Sequence, residues 1–167
     1  SGDKLAIRFR RDGTWNDVEV TLKPLPPSRM YSIQYEKNPR YVVFAGLVFQ
    51  PLDTNLFATS KFRDITVRRL YTDYVSKGIF QEKKDIVILT QIEQDQITSQ
   101  LDDFTGQAVE KIDGIPVRDL KHAHDLLYAE NPPEYHVIEL YGARRPLIIP
   151  SAKVEAANSR VQANYGI

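Results

Sequence analysis

Cysteine is absent from the 167 residues, which excludes disulfides, thiol nucleophiles and thiolate metal sites together. Such a chain is tolerated in any compartment, and its one bias is toward an oxidising space such as the periplasm if the source is bacterial. Net charge is missing as well. The 22 basic and 22 acidic side chains cancel, so no overall field draws the chain to nucleic acid or to an anionic membrane. No uncharged apolar run is long enough to span a bilayer. The N-terminus carries no signal peptide, as would also hold for a piece of a longer protein. Short-period repeats and low-complexity tracts are absent too.

What is present is enough apolar material, 42% of the residues, for one packed domain of ordinary size or one domain plus a fragment of another. Residues 4–10, KLAIRFR, alternate, with Leu5, Ile7 and Phe9 on one face and Lys4, Arg8 and Arg10 on the other. That is the period of a half-buried strand. Arg11-Asp12-Gly13 supplies a turn, and Val18, Val20 and Leu22 alternate on the return, so a hairpin is predicted. Pro24, Pro26 and Pro27 then interrupt hydrogen bonding and mark an extended crossover.

The run 41–49 ends in VVFAGLVF and Pro51 closes it. It reads as one apolar strand, and Gly46 in its middle signals a bulge or the close approach of another backbone. Asp53 is positioned to cap a short helix through Phe57. Val67, Leu70, Tyr71, Tyr74 and Val75 form the stripe of an amphipathic helix that Gly78 would close. Residues 81–85, QEKKD, read as a solvated turn before the β-branched strand 86–92, IVILTQI. Asp113-Gly114 is a strong turn between two short strands in 108–117, and Asp119 caps a helix ending before Pro132-Pro133. A last hairpin spans 135–142 and 145–150, and Ser151 is placed to cap a C-terminal helix over 152–163. The expected class is α+β: a small β-sandwich or open barrel of five or six short strands with two main helices, plus the N-terminal hairpin and the C-terminal helix.

The order of these pieces is more specific than any one of them. Gly2-Asp3-Lys4-Leu5 through Arg11-Asp12-Gly13 to Leu22 resembles the end of a PDZ domain of the HtrA/Deg (protease Do-like) serine protease family. YVVFAGLVFQPL, IVILTQI, DDFTGQAVEKIDGIPVRDLKHAHDLL and YHVIEL resemble, in that order, the second PDZ-like domain of the plant Do-like branch and its bacterial relatives. The tail ANSRVQANYGI is similar to the same branch's C-terminus. The resemblance implies residues 1–26 as the closing hairpin of a preceding PDZ domain, 27–40 as linker, 41–150 as a PDZ-like domain and 151–167 as a helical tail. It implies a parent serine endopeptidase, although no Gly-Asn-Ser-Gly-Gly nucleophile motif occurs in these residues, so this piece is expected to be non-catalytic.

By the same resemblance, Ala45, Gly46, Leu47, Val48 and Phe49 take the place of the peptide-binding strand, with His122 and Leu126 on the helix lining the groove. Backbone N–H groups there would meet a peptide's terminal carboxylate. The familiar Gly-Leu-Gly-Phe here reads Gly46-Leu47-Val48-Phe49, and a valine does not offer the open backbone of the second glycine. Two readings stay open, a plain core strand and a peptide groove. In the branch it resembles, this second domain is regarded as an assembly contact. The expected partners are peptide or unfolded-protein C-termini, the parent's protease domain and further copies of the chain; no nucleic acid, membrane span, cofactor or metal is expected. The competing reading is a stand-alone peptide-binding adaptor.

Other candidates have plainer accounts. His122 and His124 diverge on a helix and cannot share a metal, so both, with His136, are expected at the surface or its boundary. Asp125 beside them has no nucleophile to serve. Glu93, Asp95, Asp102 and Asp103 are expected in a solvated loop. The pairs Arg68-Arg69 and Arg144-Arg145 have acids nearby. Tyr31, Tyr35, Tyr41, Tyr71 and Tyr74 suit either core packing or a subunit contact.

Overall fold

In the computed structural model the described residues are 2–22, 29–33, 38–59 and 64–166. The predicted hairpin comprises β1 (Lys4–Arg11) and β2 (Thr14–Thr21), in register from Lys4↔Thr21 to Arg11↔Thr14. Both turn residues, Asp12 and Gly13, have positive φ, the geometry that matches the twist of a two-residue hairpin. Every residue of both strands is exposed, the apolar face included.

The remaining strands fall in two antiparallel sheets. One orders β3 (Val42–Phe44), β4 (Leu47–Pro51) and β5 (Val87–Ile92). The other contains β6 (Val109–Ile112), β7 (Ile115–Pro116), β8 (Tyr135–Leu140) and β9 (Leu147–Pro150), in the order β7-β6-β8-β9. An Ile88↔Ala108 bridge joins the sheets, flanked by Leu89 N–H to Gln107 O at 3.0 Å and Gly106 N–H to Leu89 O at 2.7 Å. The strands therefore do not close into a barrel. The class is as expected, but the run 41–49 is corrected: it is a hairpin and not one strand, because Ala45 and Gly46 both adopt positive φ and turn the chain back on itself. The bulge lies two residues on, between Val48 and Phe49 against β5.

The helices are α1 (Thr54–Thr59), α2 (Ile65–Ser76), α3 (Leu120–Leu127) and α4 (Val154–Tyr165). Three carry an aspartate cap. Asp53 accepts from Leu56 N, Asp64 from Thr66 N and Asp119 from His122 N. The predicted Ser151 cap is not made. Ser151 instead begins a 3-10 turn, and its buried Oγ meets no hydrogen-bond partner among the described residues.

The main core joins Phe44, Leu47, Phe49, Leu89, Ile112, Leu127, Ile138 and Ile149 across both sheets and α3. A second cluster lies beneath α2 and takes in Met30, Val67 and Tyr74. Of the tyrosines of the 31–74 region, Tyr74 is buried, Tyr71 is partly buried, and Tyr31 and Tyr41 are exposed. Tyr31 meets Tyr71 edge-on at 5.1 Å, and Tyr71 stacks on Phe57 at 4.1 Å, so these rings pack on one another within this chain. Tyr74 donates to Lys84 O at 2.7 Å, and burial pushes its hydroxyl up to about 12. Tyr35 lies outside the described residues. Asp85 is not in solvent as the charge run suggested. It is buried, paired with Arg40 at 3.2 Å, and accepts from Leu120 N, which ties the turn to the start of α3.

Candidate functional site

The site begins at the Ala45-Gly46 turn. Ala45, with φ +50°, and Gly46, with φ +89°, both take left-handed backbone, as a type I′ hairpin turn requires, and Gly46 takes it at no steric cost. It also lies under other chain segments. Glu93 N–H donates to Gly46 O at 2.7 Å. A Cβ placed on Gly46 would lie 3.1 Å from Glu93 O, 3.2 Å from Thr98 Cγ2 and 3.5 Å from a Val161 methyl. The neighbour that the glycine signalled is the loop after β5, with α4 above it.

Beyond the turn, β4 is paired on both edges, by β3 in register Val42↔Phe49 to Phe44↔Leu47, and by β5. Leu47 and Phe49 are wholly buried in the main core, and Val48, half-buried, accepts from Thr90 Oγ1 at 3.2 Å. Helix α3 packs on this sheet through Ala123 and Leu127. His122 and Leu126, one turn apart, are partly buried beside that inward face. The His122 ring accepts from Arg118 N at 3.3 Å, and burial together with the Arg118 charge holds its pKa below the usual histidine value. Of the seven residues placed on the groove by sequence, Ala45 and Gly46 form the turn, Leu47, Val48 and Phe49 lie on β4, and His122 and Leu126 lie on α3; the strand alongside β4 on the α3 side is β3 of the same chain.

Two backbone groups on the outer side of β3 and its turn are met by side chains. In a hairpin with a two-residue turn, Phe44 and Leu47 exchange hydrogen bonds, so the polar groups of Val43 point away from β4. Val43 O accepts from the Tyr128 hydroxyl, at the end of α3. Ala45 N–H donates to Asn158 Oδ1 on α4 at 2.7 Å, and Asn158 Nδ2 donates to the Tyr128 oxygen at 3.2 Å. The Tyr128 hydroxyl is protonated at neutral pH like any phenol, and its partial burial raises its pKa further. Sequence reasoning missed both residues because the contacts span 85 and 113 positions, with no local pattern to announce them.

Helix α4 is held by little apolar surface, chiefly Ala157 and Val161, and by a two-point ion pair from Arg160 to Asp95 at 2.7 and 2.9 Å. Asp95 therefore departs from the solvated-loop expectation: its side chain is 5% exposed. Glu93 is buried as well, and Asp102 and Asp103 are exposed as expected. The Arg160 hydrogen bonds hold the Asp95 carboxyl below its ordinary pKa. A depressed folded-state pKa contributes stability that is complete above the unfolded value near ~4 and is lost as pH falls through the folded one. Acid titration followed by amide exchange should therefore release α4 before the sheets. In Asp95→Asn the α4 amides should exchange faster at neutral pH and lose most of that acid dependence.

His136 is a second correction. It is 1% exposed, with Nδ1 2.8 Å from Asp113 Oδ2, while Asp113 Oδ1 accepts from Val137 N at 2.7 Å. Its ring meets Phe44 edge-on at 5.0 Å. His124 and Asp125 are exposed, as expected. A cleft of about 410 Å³ lies away from these residues, between Arg40, Leu52 and Leu56. Among the described residues no group of three or more His, Asp or Glu is arranged to hold a metal ion, and no helix is long and apolar enough to cross a membrane.

Compared with protein families, residues 30–167 match the PDZ domain. The chain is 31% identical over 130 residues to Protease Do-like 2, chloroplastic, of Arabidopsis thaliana, which covers 76% of this chain and 21% of that protein. It is 30% identical over 125 residues to Protease Do-like 4, mitochondrial, of the same plant, covering 75% and 21%. A Serine protease DegP homolog of Plasmodium falciparum (isolate 3D7) is 26% identical over 106 residues, covering 59% and 12%. The chain spans about a fifth of the length of the curated plant relatives it matches.

Proposed function

Because the chain belongs to the PDZ domain family, we propose that it is the regulatory and assembly module of an HtrA/Deg-type serine endopeptidase whose protease domain lies elsewhere in the parent. Its work is docking other chains. The supporting likeness is to proteins named as Do-like and DegP proteases. The observation that carries assembly over an open peptide groove is the state of β4: both edges are paired within the chain, and the β3 rim beyond is capped by Tyr128 and Asn158. A strand with no free edge has no main-chain groups to offer a guest.

The β1–β2 hairpin belongs, in this proposal, to a preceding PDZ domain. Leu5, Ile7, Phe9, Val18, Val20 and Leu22 are all exposed, and an isolated two-stranded hairpin with a bare apolar face is marginal in water. The family match also starts beyond it, at residue 30.

Light scattering with a parallel titration of C-terminal peptides tests the function. The expected result is an oligomer that grows with concentration and ignores the peptides. A monomer that binds them at micromolar concentration would overturn assembly in favour of the stand-alone adaptor. The same preparation should leave denatured casein uncut, and cleavage would end the non-catalytic reading.

A further inference from the structure

The sheet β7-β6-β8-β9 lays one face on the main core, where His136, Ile138, Leu140, Leu147 and Ile149 are buried. An antiparallel sheet of this kind ordinarily carries polar side chains on its other face. Here the outward positions of β8 and β9 are largely apolar. Val137 stands opposite Ile148, and Tyr135 stands opposite Pro150. Ile148 is 55% exposed and Tyr135 48%. The charges beside them are Glu139 on β8 and Lys111 on β6, a cross-strand pair at 3.3 Å that neutralises itself.

The edges of the same sheet are poor in donors. Val137 turns both of its polar groups toward Asp113, so Ile148 points its own groups outward from β9. Two residues to either side of Ile148 are Pro146 and Pro150, which have no N–H. On β7 the outward position is Pro116. Proline at an edge removes the donor that strand pairing needs. The sheet thus resists pairing along its edges while its face stays apolar, and it admits a partner face-on.

Charge and symmetry identify that partner. The patch has no net charge, so it selects neither an acidic nor a basic guest. A second copy of the chain fits it. Val137 and Ile148 form the middle row, with Tyr135 and Pro150 two residues to one side and the Lys111–Glu139 row two residues to the other. A two-fold axis along the middle row lays Val137 and Ile148 on their own counterparts and exchanges the outer rows. Each Tyr135 then covers the copy's Lys111–Glu139 pair, with its hydroxyl donating to the carboxylate and its ring facing the ammonium.

We propose that the outer face of β8 and β9, centred on Val137 and Ile148, is a two-fold docking surface for a second copy of this chain. This rests on the assembly reading and adds which surface is used and how the copies are related.

Sedimentation velocity over a concentration series tests it, on wild type and on Ile148→Lys, Ile148→Glu and Tyr135→Glu, with thermal unfolding to certify each fold. Ile148 lies on the axis, so a charge placed there meets its like. Each Ile148 variant alone should associate at least tenfold more weakly than wild type. An equimolar mixture of the two should recover association, because the introduced ammonium and carboxylate then face each other. Tyr135→Glu sets a carboxylate on the copy's Glu139, so it should lose as much, and it decides the face by itself if the Ile148 variants do not fold. Folded variants that associate like wild type would overturn this face and leave assembly through another surface standing. Losses that the mixture does not recover would overturn the two-fold arrangement. Amide shifts on dilution confined to the β1–β2 hairpin would overturn the face as well. A wild-type chain that stays monomeric throughout would overturn the assembly reading itself.

Discussion

Gly46→Val is expected to abolish the folded domain under ordinary conditions, or to destabilise it by about 3–5 kcal/mol where folding survives. Two costs add. The position has φ +89°, which a β-branched residue adopts only under strain. A Cβ would also be pressed to 3.1 Å from Glu93 O, a backbone atom held by its own residue's bond to Gly46 O and by Thr98 Oγ1 at 2.6 Å. Neither wall can retreat without breaking a hydrogen bond. The control is Gly114→Ala. Its φ is +76°, but nothing lies within 4 Å of a Cβ there, so only the backbone term of about 1–2 kcal/mol applies. Urea unfolding of the two variants separates strain from collision. Equal midpoints would show that the loop after β5 does not press on Gly46.

Asp113→Ala should be nearly as damaging, at about 3–5 kcal/mol. One carboxylate serves the His136 ring and Val137 N, and the ring it leaves behind is buried. Asp113 also sits at φ +53° in the turn, a conformation that aspartate and asparagine tolerate better than alanine. Asp113→Asn retains an acceptor and the turn preference, so most of the loss should be recovered. Thermal unfolding of the pair would check this. If Asp113→Asn is as damaged as Asp113→Ala, the negative charge is what the His136 pocket requires.

These two positions show how differently the chain's signals can be read. Asp113-Gly114 was legible because a turn dipeptide between alternating strands is a local code, and the hairpin forms where predicted. The role of the Asp113 side chain was not, since its partner lies 23 residues away on β8. The glycine in the run 42–49 was legible as a place where another backbone comes near. The reversal there was missed because the run is apolar on both sides of the turn, and continuous apolarity does not distinguish one buried strand from a buried hairpin. The caps of α1 and α3 were readable from single aspartates, whereas the Asp64 cap of α2 emerged only in the structure. Ser151 misled, since a serine before a helix is only permission to cap.

The sequence by itself determined the exclusions, the order of the elements apart from the β3–β4 hairpin, the turns at Asp12-Gly13 and Asp113-Gly114, and the family to which that order belongs, because all of these rest on local composition and spacing. Only the tertiary structure decided that β4 is paired on both edges, that the Asp95 and His136 side chains are buried, and that Tyr128 and Asn158 meet Val43 O and Ala45 N. Those facts depend on backbone and side-chain groups separated by tens to more than a hundred residues. The free energy of such contacts comes from burial and hydrogen-bond geometry, which exist only once the chain has closed on itself.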